Sequence, residues 1–222
     1  MPEYRLPGEI ERRSMEIISR ELKERNLMPA PENLAVVLRV IHATADFDYA
    51  SSLCFTDEAV EKAVHSLLNG VPIVTDTNMA GAGISRVGLK RLGSEAVCYM
   101  ADEGIAALAK NMGTTRAYAA MKFASERFPG AVYAVGNAPT ALISLTELIE
   151  NGLRPALVIG VPVGFVNVVE SKETLFSACE RADVPAIIAR GRKGGSSVAA
   201  AICNALLYTA AGMLDPSDRG WN

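Results

Sequence analysis

The sequence predicts an α/β domain, a doubly wound parallel sheet covered by helices. Three observations carry this. First, five short apolar runs follow residue 70: VPIVT (71–75), EAVCYM (95–100), AVYAVG (131–136), ALVIG (156–160) and PAIIAR (185–190). They are continuous rather than alternating, as expected of strands buried on both faces. Second, helical segments separate them, and that alternation argues for right-handed βαβ crossovers. Third, half of the residues are hydrophobic but only 6% are aromatic, a balance that suits helices on a parallel sheet better than a β-sandwich.

Before the first strand, roughly the first 65 residues read as helix. Pro7 opens a segment in which Met15, Ile18 and Leu22 share one stripe, and Pro29 and Pro31 break it. A second helix carries Leu34, Val37, Leu38 and Ile41 on one face. A third runs from about Asp57 to Asn69 and stops at Gly70, a suitable residue to follow a helix end. Between the strands the clearest helices are DEGIAALAKNMG, TTRAYAAMKFASERF, APTALISLTELIENG and, last, SSVAAAICNALLYTAA. The closing SDRGWN reads as a frayed tail or an oligomer contact. The 222 residues fit one domain spanning 1–222, with no repeat or linker.

Composition excludes several classes. A net charge of −3 argues against a nucleic-acid polycation, so any anion site must be a local cluster. No apolar run approaches the ~18 residues of a membrane span. The charged start MPEYRLPGEIERR lacks a signal-peptide core. A cytoplasmic protein is expected. Cys54, Cys98, Cys179 and Cys203 form no C-x-x-C pair and are expected to be reduced, mostly buried thiols.

In open α/β sheets, ligands bind beyond the carboxyl ends of the strands. The turns there read Asp76-Thr77-Asn78-Met79, Gly136-Asn137-Ala138-Pro139-Thr140, Gly160-Val161-Pro162-Val163-Gly164-Phe165 and Gly191-Arg192-Lys193-Gly194-Gly195-Ser196-Ser197. In the last, Arg190, Arg192 and Lys193 surround glycines that open a helix. Backbone N–H groups, the helix dipole and three cations suit a carboxylate or phosphate there, with the N–H of Gly195 expected to face the ligand. The spacing is not that of a P-loop. A solvated basic turn is the plainer alternative.

There are only two histidines. His65 lies mid-helix in EKAVHSLLNG and reads as a surface residue. His42 flanks an apolar stripe, with Arg39 three residues before it and Asp46 four after, so that a cation, an imidazole and a carboxylate would line one helix edge. It can exchange protons at neutral pH, or serve structurally by bonding Asp46. Asp46, Asp48 and His42 are weak evidence for a metal site. No nucleophile elbow, zincin motif or dinucleotide fingerprint competes.

Several long runs resemble one family. GNAPTAL (136–142), GVPVGFV (160–166) with ESK (170–172), and RGRKGGSSVAAAICN (190–204) resemble precorrin-8X methylmutase, also called precorrin isomerase. PEYRLPGEIERRSMEII, VLRVIHA, TDTNMAGAGISR and NMGTTRAYAAMKF extend the resemblance over nearly the whole chain. The resemblance implies a flavodoxin-like, three-layer α/β/α fold with a five-stranded parallel sheet and N-terminal helices. It implies an isomerase of cobalamin biosynthesis that shifts a methyl group between neighbouring carbons of a tetrapyrrole, turning precorrin-8 into hydrogenobyrinate or its cobalt complex into cobyrinate.

His42 matches the family's catalytic histidine, which exchanges a proton with the macrocycle. Ser14 and Arg39 match substrate-contact positions. The substrate's acetate and propionate carboxylates call for dispersed cations, which Arg39, Arg86, Arg116, Arg190, Arg192 and Lys193 can supply. Asn137, Gly194, Gly195 and Ser196 are further candidate contacts, and Phe165 with the Pro/Gly turns could form an apolar floor. The family's hydroxyl-then-arginine appears as Ser85-Arg86 after a small GAGI run, which leaves the arginine in place and its neighbours open to change. No redox or nucleotide cofactor and no protein-bound metal is implied; cobalt, where present, arrives within the substrate. A homodimer is the family-level expectation. A corrinoid carrier without chemistry, or a nucleotide-binding protein using the Gly191–Ser197 turn, are the alternatives.

Overall fold

The computed structural model describes residues 6–220; Met1–Arg5, the start of the charged N-terminal segment, and Trp221–Asn222, the end of the tail, lie outside them. Helix α1 (Pro7–Glu24) opens at Pro7, where a missing N–H costs nothing. The chain turns at Asn26, which has a positive φ, and enters α2 (Leu34–Thr44). A short α3 (Tyr49–Ser52) leads into strand β1 (Leu53–Phe55), then α4 (Ala59–Leu68). Alternation follows: β2 (Ile73–Thr75), α5 (Asn78–Gly83), α6 (Arg86–Leu92), β3 (Ala96–Val97), α7 (Glu103–Met112), α8 (Arg116–Arg127), β4 (Val132–Val135), α9 (Pro139–Glu150), β5 (Leu157–Gly160), α10 (Val168–Ala182), β6 (Ala186–Ala189) and α11 (Ser196–Ala210).

The strands lie in the order β1-β6-β5-β4-β2-β3, parallel except for β1, which runs antiparallel to β6. Every expected strand is present, but the sheet has six strands rather than five. The extra one falls within the stretch read as helical. Leu53–Phe55 is too short to show a period, and what makes it a strand is pairing with residues 187–189, far away in sequence.

The sheet separates two cores, and the strands alternate between them. Val132 and Ala134 of β4 face α1, α2, α4 and α11, while Tyr133 and Val135 face α7 to α10. Helix α11 has ten of its 15 residues buried, which accounts for its nearly unbroken apolar sequence. Its alanines permit close neighbours: a Cβ on Gly83 of α5 would stand 2.8 Å from the Cβ of Ala200.

The cysteines are all free; Cys179 and Cys203 are buried, with thiols that burial pushes up to about 12, whereas Cys54 and Cys98 are half-buried. The tail is not frayed as far as Arg219, which is buried and bonded to Glu11 at 2.7 Å. Among the described residues, no helix is long and apolar enough to cross a membrane.

Candidate active site

The chain passes from β2 outward to β3, then returns to β4 on the other side of β2, so a crevice opens at the carboxyl ends of β2 and β4. Asp76 closes its floor. It is fully buried and accepts N–H bonds from Gly136 (2.8 Å), Asn137 (2.8 Å) and Ala138 (2.7 Å). Burial raises its carboxyl above the ordinary range, against the lowering pull of those amides. Asp76 fixes the Asn137 turn, leaving the Asn137 side chain exposed. The sequence offered a signal for it, an aspartate directly after a buried parallel strand.

The start of α11 stands beside this turn. A Cβ on Gly136 would lie 2.7 Å from the Cα of Ser196, so glycine is what lets the two backbones meet. The Ser196 hydroxyl is 2.8 Å from that of Thr77, which caps α5. Among the described residues no side chain caps α11, so its first N–H groups are left for other partners.

The basic turn before α11 is held from within. Gly194 has φ +158°, and a Cβ there would stand 2.1 Å from the carbonyl oxygen of Val161. The Gly195 N–H, expected to face a ligand, donates instead to Val161 at 2.9 Å. Lys172 of α10, fully buried, donates to the carbonyls of Gly191 and Lys193 at 2.9 Å each. Arg190 and Arg192 are exposed, and Arg192 lies 5.3 Å over the ring of Phe165, itself 81% exposed. Lys193 is committed to Asp46 (2.7 Å) and Asp48 (2.6 Å), which hold its ammonium pKa above the ordinary range. The two carboxylates weighed as metal ligands therefore serve as its counter-charges.

His42 lies two residues before the end of α2. The structural alternative, a bond to Asp46, does not form, because Ala45 adopts the left-handed conformation and ends the helix before Asp46. The ring is exposed and, among the described residues, makes no hydrogen bond. The protein around it still strips water from the imidazolium, and Arg39 and Arg219 repel it; together they outweigh Glu11 and lower its pKa. Glu11, Arg39 and Arg219 form one cluster, with both guanidiniums 2.7 Å from the same Glu11 oxygen and within 5.1 and 4.4 Å of the Tyr208 ring centre.

The structure thus gathers Asn137, Ser196 and residues 190–195 at one edge of the sheet, and ties the end of the His42 helix to them through Asp46 and Lys193. Arg116 begins α8 at that same edge, where its neighbour Thr115 bonds Thr140 at 2.7 Å. Arg86 stands apart. Asn204 holds its turn through Ser85 N–H (2.7 Å) and Gly83 O (2.9 Å), eight residues or about 12 Å along α11 from Ser196, and the Ser85 hydroxyl caps α6. The Ser14 hydroxyl donates to Ile10 O within α1 at 2.8 Å. Arg39 is engaged by Glu11, and exposed His65 sits on α4 without a role in the site. Two large clefts, of about 620 Å³ beneath α1 and about 680 Å³ between α7 and α8, are not lined by His42. His42 faces open surface.

Residues 9–209 match the family described as precorrin-8X methylmutase. The chain is similar to cobalt-precorrin-8 methylmutase of Salmonella typhimurium, 43% identical over 91% of this chain and 95% of that one. It is similar to precorrin-8X methylmutase of Sinorhizobium sp, 40% identical over 93% and 98%. A solved structure of precorrin-8x methyl mutase from Thermus thermophilus superposes with a TM-score of 0.82 at 41% identity, over 91% of this chain and 96% of the other. Match length, similarity and fold agree, and the chain belongs to the precorrin-8X methylmutase family.

Proposed function

We propose that His42 exchanges a proton with a ring nitrogen of precorrin-8 while the turn around Arg192 holds the substrate's peripheral carboxylates. The chain is a methylmutase, an isomerase of cobalamin biosynthesis. The observation that carries the residue assignment is the tie between the end of α2, which bears the exposed His42, and an anion-receptive turn at the carboxyl edge of the sheet. Nothing favours a carrier without chemistry.

In the free protein the lowered pKa favours the neutral imidazole of His42. A bound polycarboxylate brings negative charge alongside and raises that pKa, so binding itself favours the imidazolium. The imidazolium gives its proton to a ring nitrogen, which alters the conjugation next to the migrating methyl. One carbon–methyl bond breaks as the neighbouring one forms, and the proton returns to His42. Atoms and electrons balance without a redox or nucleotide cofactor. Cobalt, when present, sits at the ring centre as part of the substrate, and relatives named for either form are similarly close, at 43% and 40% identity.

The strand order of the five parallel strands, with its reversal between β2 and β4, supports a flavodoxin-like doubly wound fold. A cytoplasmic homodimer belongs to the same reading. His42 on open surface, and the exposed Val163, Phe165 and Val166 beside Arg192, give substrate and a second subunit an apolar surface to cover. Incubation with metal-free and cobalt-containing precorrin-8, followed by absorbance, tests the function. Corrin product is expected from at least one; product from neither overturns it.

A further inference from the structure

Lys172 is a charged side chain with zero exposure, and among the described residues no carboxylate pairs with it. Burying an ammonium without a counter-charge is costly, and burial draws its pKa down to about 8. What it obtains in return is two carbonyls of the basic turn, those of Gly191 and Lys193. The carbonyl between them, on Arg192, accepts from the Gly164 N–H at 3.3 Å. Three successive carbonyl oxygens, which would repel an anion, are thereby engaged within the protein.

The amide side of the same turn is free. Among the described residues, the N–H groups of Gly191, Arg192, Lys193 and Gly194 donate to no protein acceptor. Successive free amides in a glycine-rich turn attract anions. Gly191 at φ +76° and Gly194 at φ +158° supply conformations that other residues rarely adopt. Lys193 adds no net positive charge, since Asp46 and Asp48 together outweigh it. The attraction of this turn for a carboxylate therefore rests on its backbone and on Arg192.

We propose that Lys172 is a positioning residue for substrate binding: by holding the carbonyls of Gly191 and Lys193 inward, it keeps the turn's amides turned out for a carboxylate of the tetrapyrrole. This rests on the reading of the turn as the carboxylate site.

The test compares Lys172→Met, Arg192→Ala and the double variant, by turnover of precorrin-8 and by titration with the corrin product. Folded Lys172→Met is expected to raise KM and product Kd about tenfold while kcat changes less than about threefold, the pattern of a lost contact common to ground and transition states. Arg192→Ala is expected to cost less in the Lys172→Met background than alone, because both act through one turn. A folded Lys172→Met with unchanged KM and Kd, beside an Arg192→Ala that binds weakly, overturns the role of Lys172 and leaves the turn as the site. Unchanged affinity in both variants overturns the reading of the turn itself, and the proposal with it. Amide proton shifts of Arg192, Lys193 and Gly194 in the wild-type protein, measured as product is added, decide the matter even if Lys172→Met does not fold. Displacement of these signals is expected, and their constancy overturns the proposal.

Discussion

Asp46 follows His42 by four residues, yet its carboxylate accepts from the Lys193 ammonium at 2.7 Å, and among the described residues the imidazole has no hydrogen bond. The left-handed Ala45 is the cause, since it ends α2 before Asp46 can share a face with His42. Two consequences follow. Among the described residues both ring nitrogens of the histidine stay unbonded, and Lys193 already has its counter-charges in Asp46 and Asp48.

Lys193→Ala leaves Asp46 and Asp48 without their cation and is expected to weaken product affinity, but less than Arg192→Ala, which raises KM about tenfold, the worth of one charge-assisted contact. Replacing both Asp46 and Asp48 by asparagine releases the Lys193 charge. Product binding should then tighten and become more sensitive to salt. Titrations at two ionic strengths read this directly. A loss from Lys193→Ala as large as that from Arg192→Ala would mean that Lys193 leaves its carboxylates for the substrate.

The two glycines before α11 differ in what they tolerate. Gly194→Ala puts a methyl against the Val161 carbonyl, at 2.1 Å unless the backbone moves, and is expected to cost about 1–3 kcal/mol in urea unfolding. At Gly195 the nearest atom to an added Cβ is 3.9 Å away, so only the strain of φ +132° opposes alanine. Gly195→Val meets the same strain, and because its N–H is already bonded to Val161, any weakened binding arises from displacement of the turn. Equal stability of Gly194→Ala and wild type contradicts this packing.

Glu11 is the counter-charge for two guanidiniums. Burial would raise its pKa, but the Arg219 hydrogen bond and the Arg39 charge prevail and hold it below the ordinary range. Its stabilising contribution is then fully present above the unfolded glutamate value and is lost as pH falls through the lower folded value. Glu11→Gln is expected to cost about 3 kcal/mol at neutral pH, because it removes the charge that both guanidiniums share. Denaturant midpoints of both proteins between pH 3 and 7, on the order of the usual carboxylate range, should converge at the acid end. Parallel midpoints across that range would contradict the assignment.

Much of this was legible in the sequence. The five parallel strands announce themselves as continuous apolar runs, and Pro7, Gly70 and the alternation mark the helices. Strand β1 was hidden because three residues carry no period and their partner lies far along the chain. His42, the Asn137 turn and the basic turn were marked by motif and by position after strands. Asp76 has a local mark, its place directly after a buried strand, but that mark does not show that it binds the amides of residues 136–138; Lys172 has none, because its partners are buried backbone groups of another segment. The same is true of Arg219, whose partner Glu11 lies at the opposite end of the chain.

The pH profile follows from the environment of His42. Loss of hydration and the Arg39 charge lower its pKa in the free protein, while a bound polyanion raises it. With the protonated ring proposed to start the reaction, both kcat and kcat/KM should fall as pH rises through the relevant pKa. The fall in kcat, which reports the complex, should come at higher pH than the fall in kcat/KM, which reports the free enzyme. Coincident limbs would remove the coupling between binding and protonation.

The most direct test is His42→Ala assayed for both turnover and product binding. The side chain is exposed and makes no hydrogen bond among the described residues, so its loss should leave the fold intact and the corrin affinity largely retained. General acid–base catalysis contributes about 10²–10⁴-fold, and a loss of at least about two orders of magnitude in kcat is expected, with His65→Ala nearly silent. A His42→Ala protein that converts precorrin-8 within about threefold of the wild-type rate, far short of that contribution, would contradict proton exchange by His42.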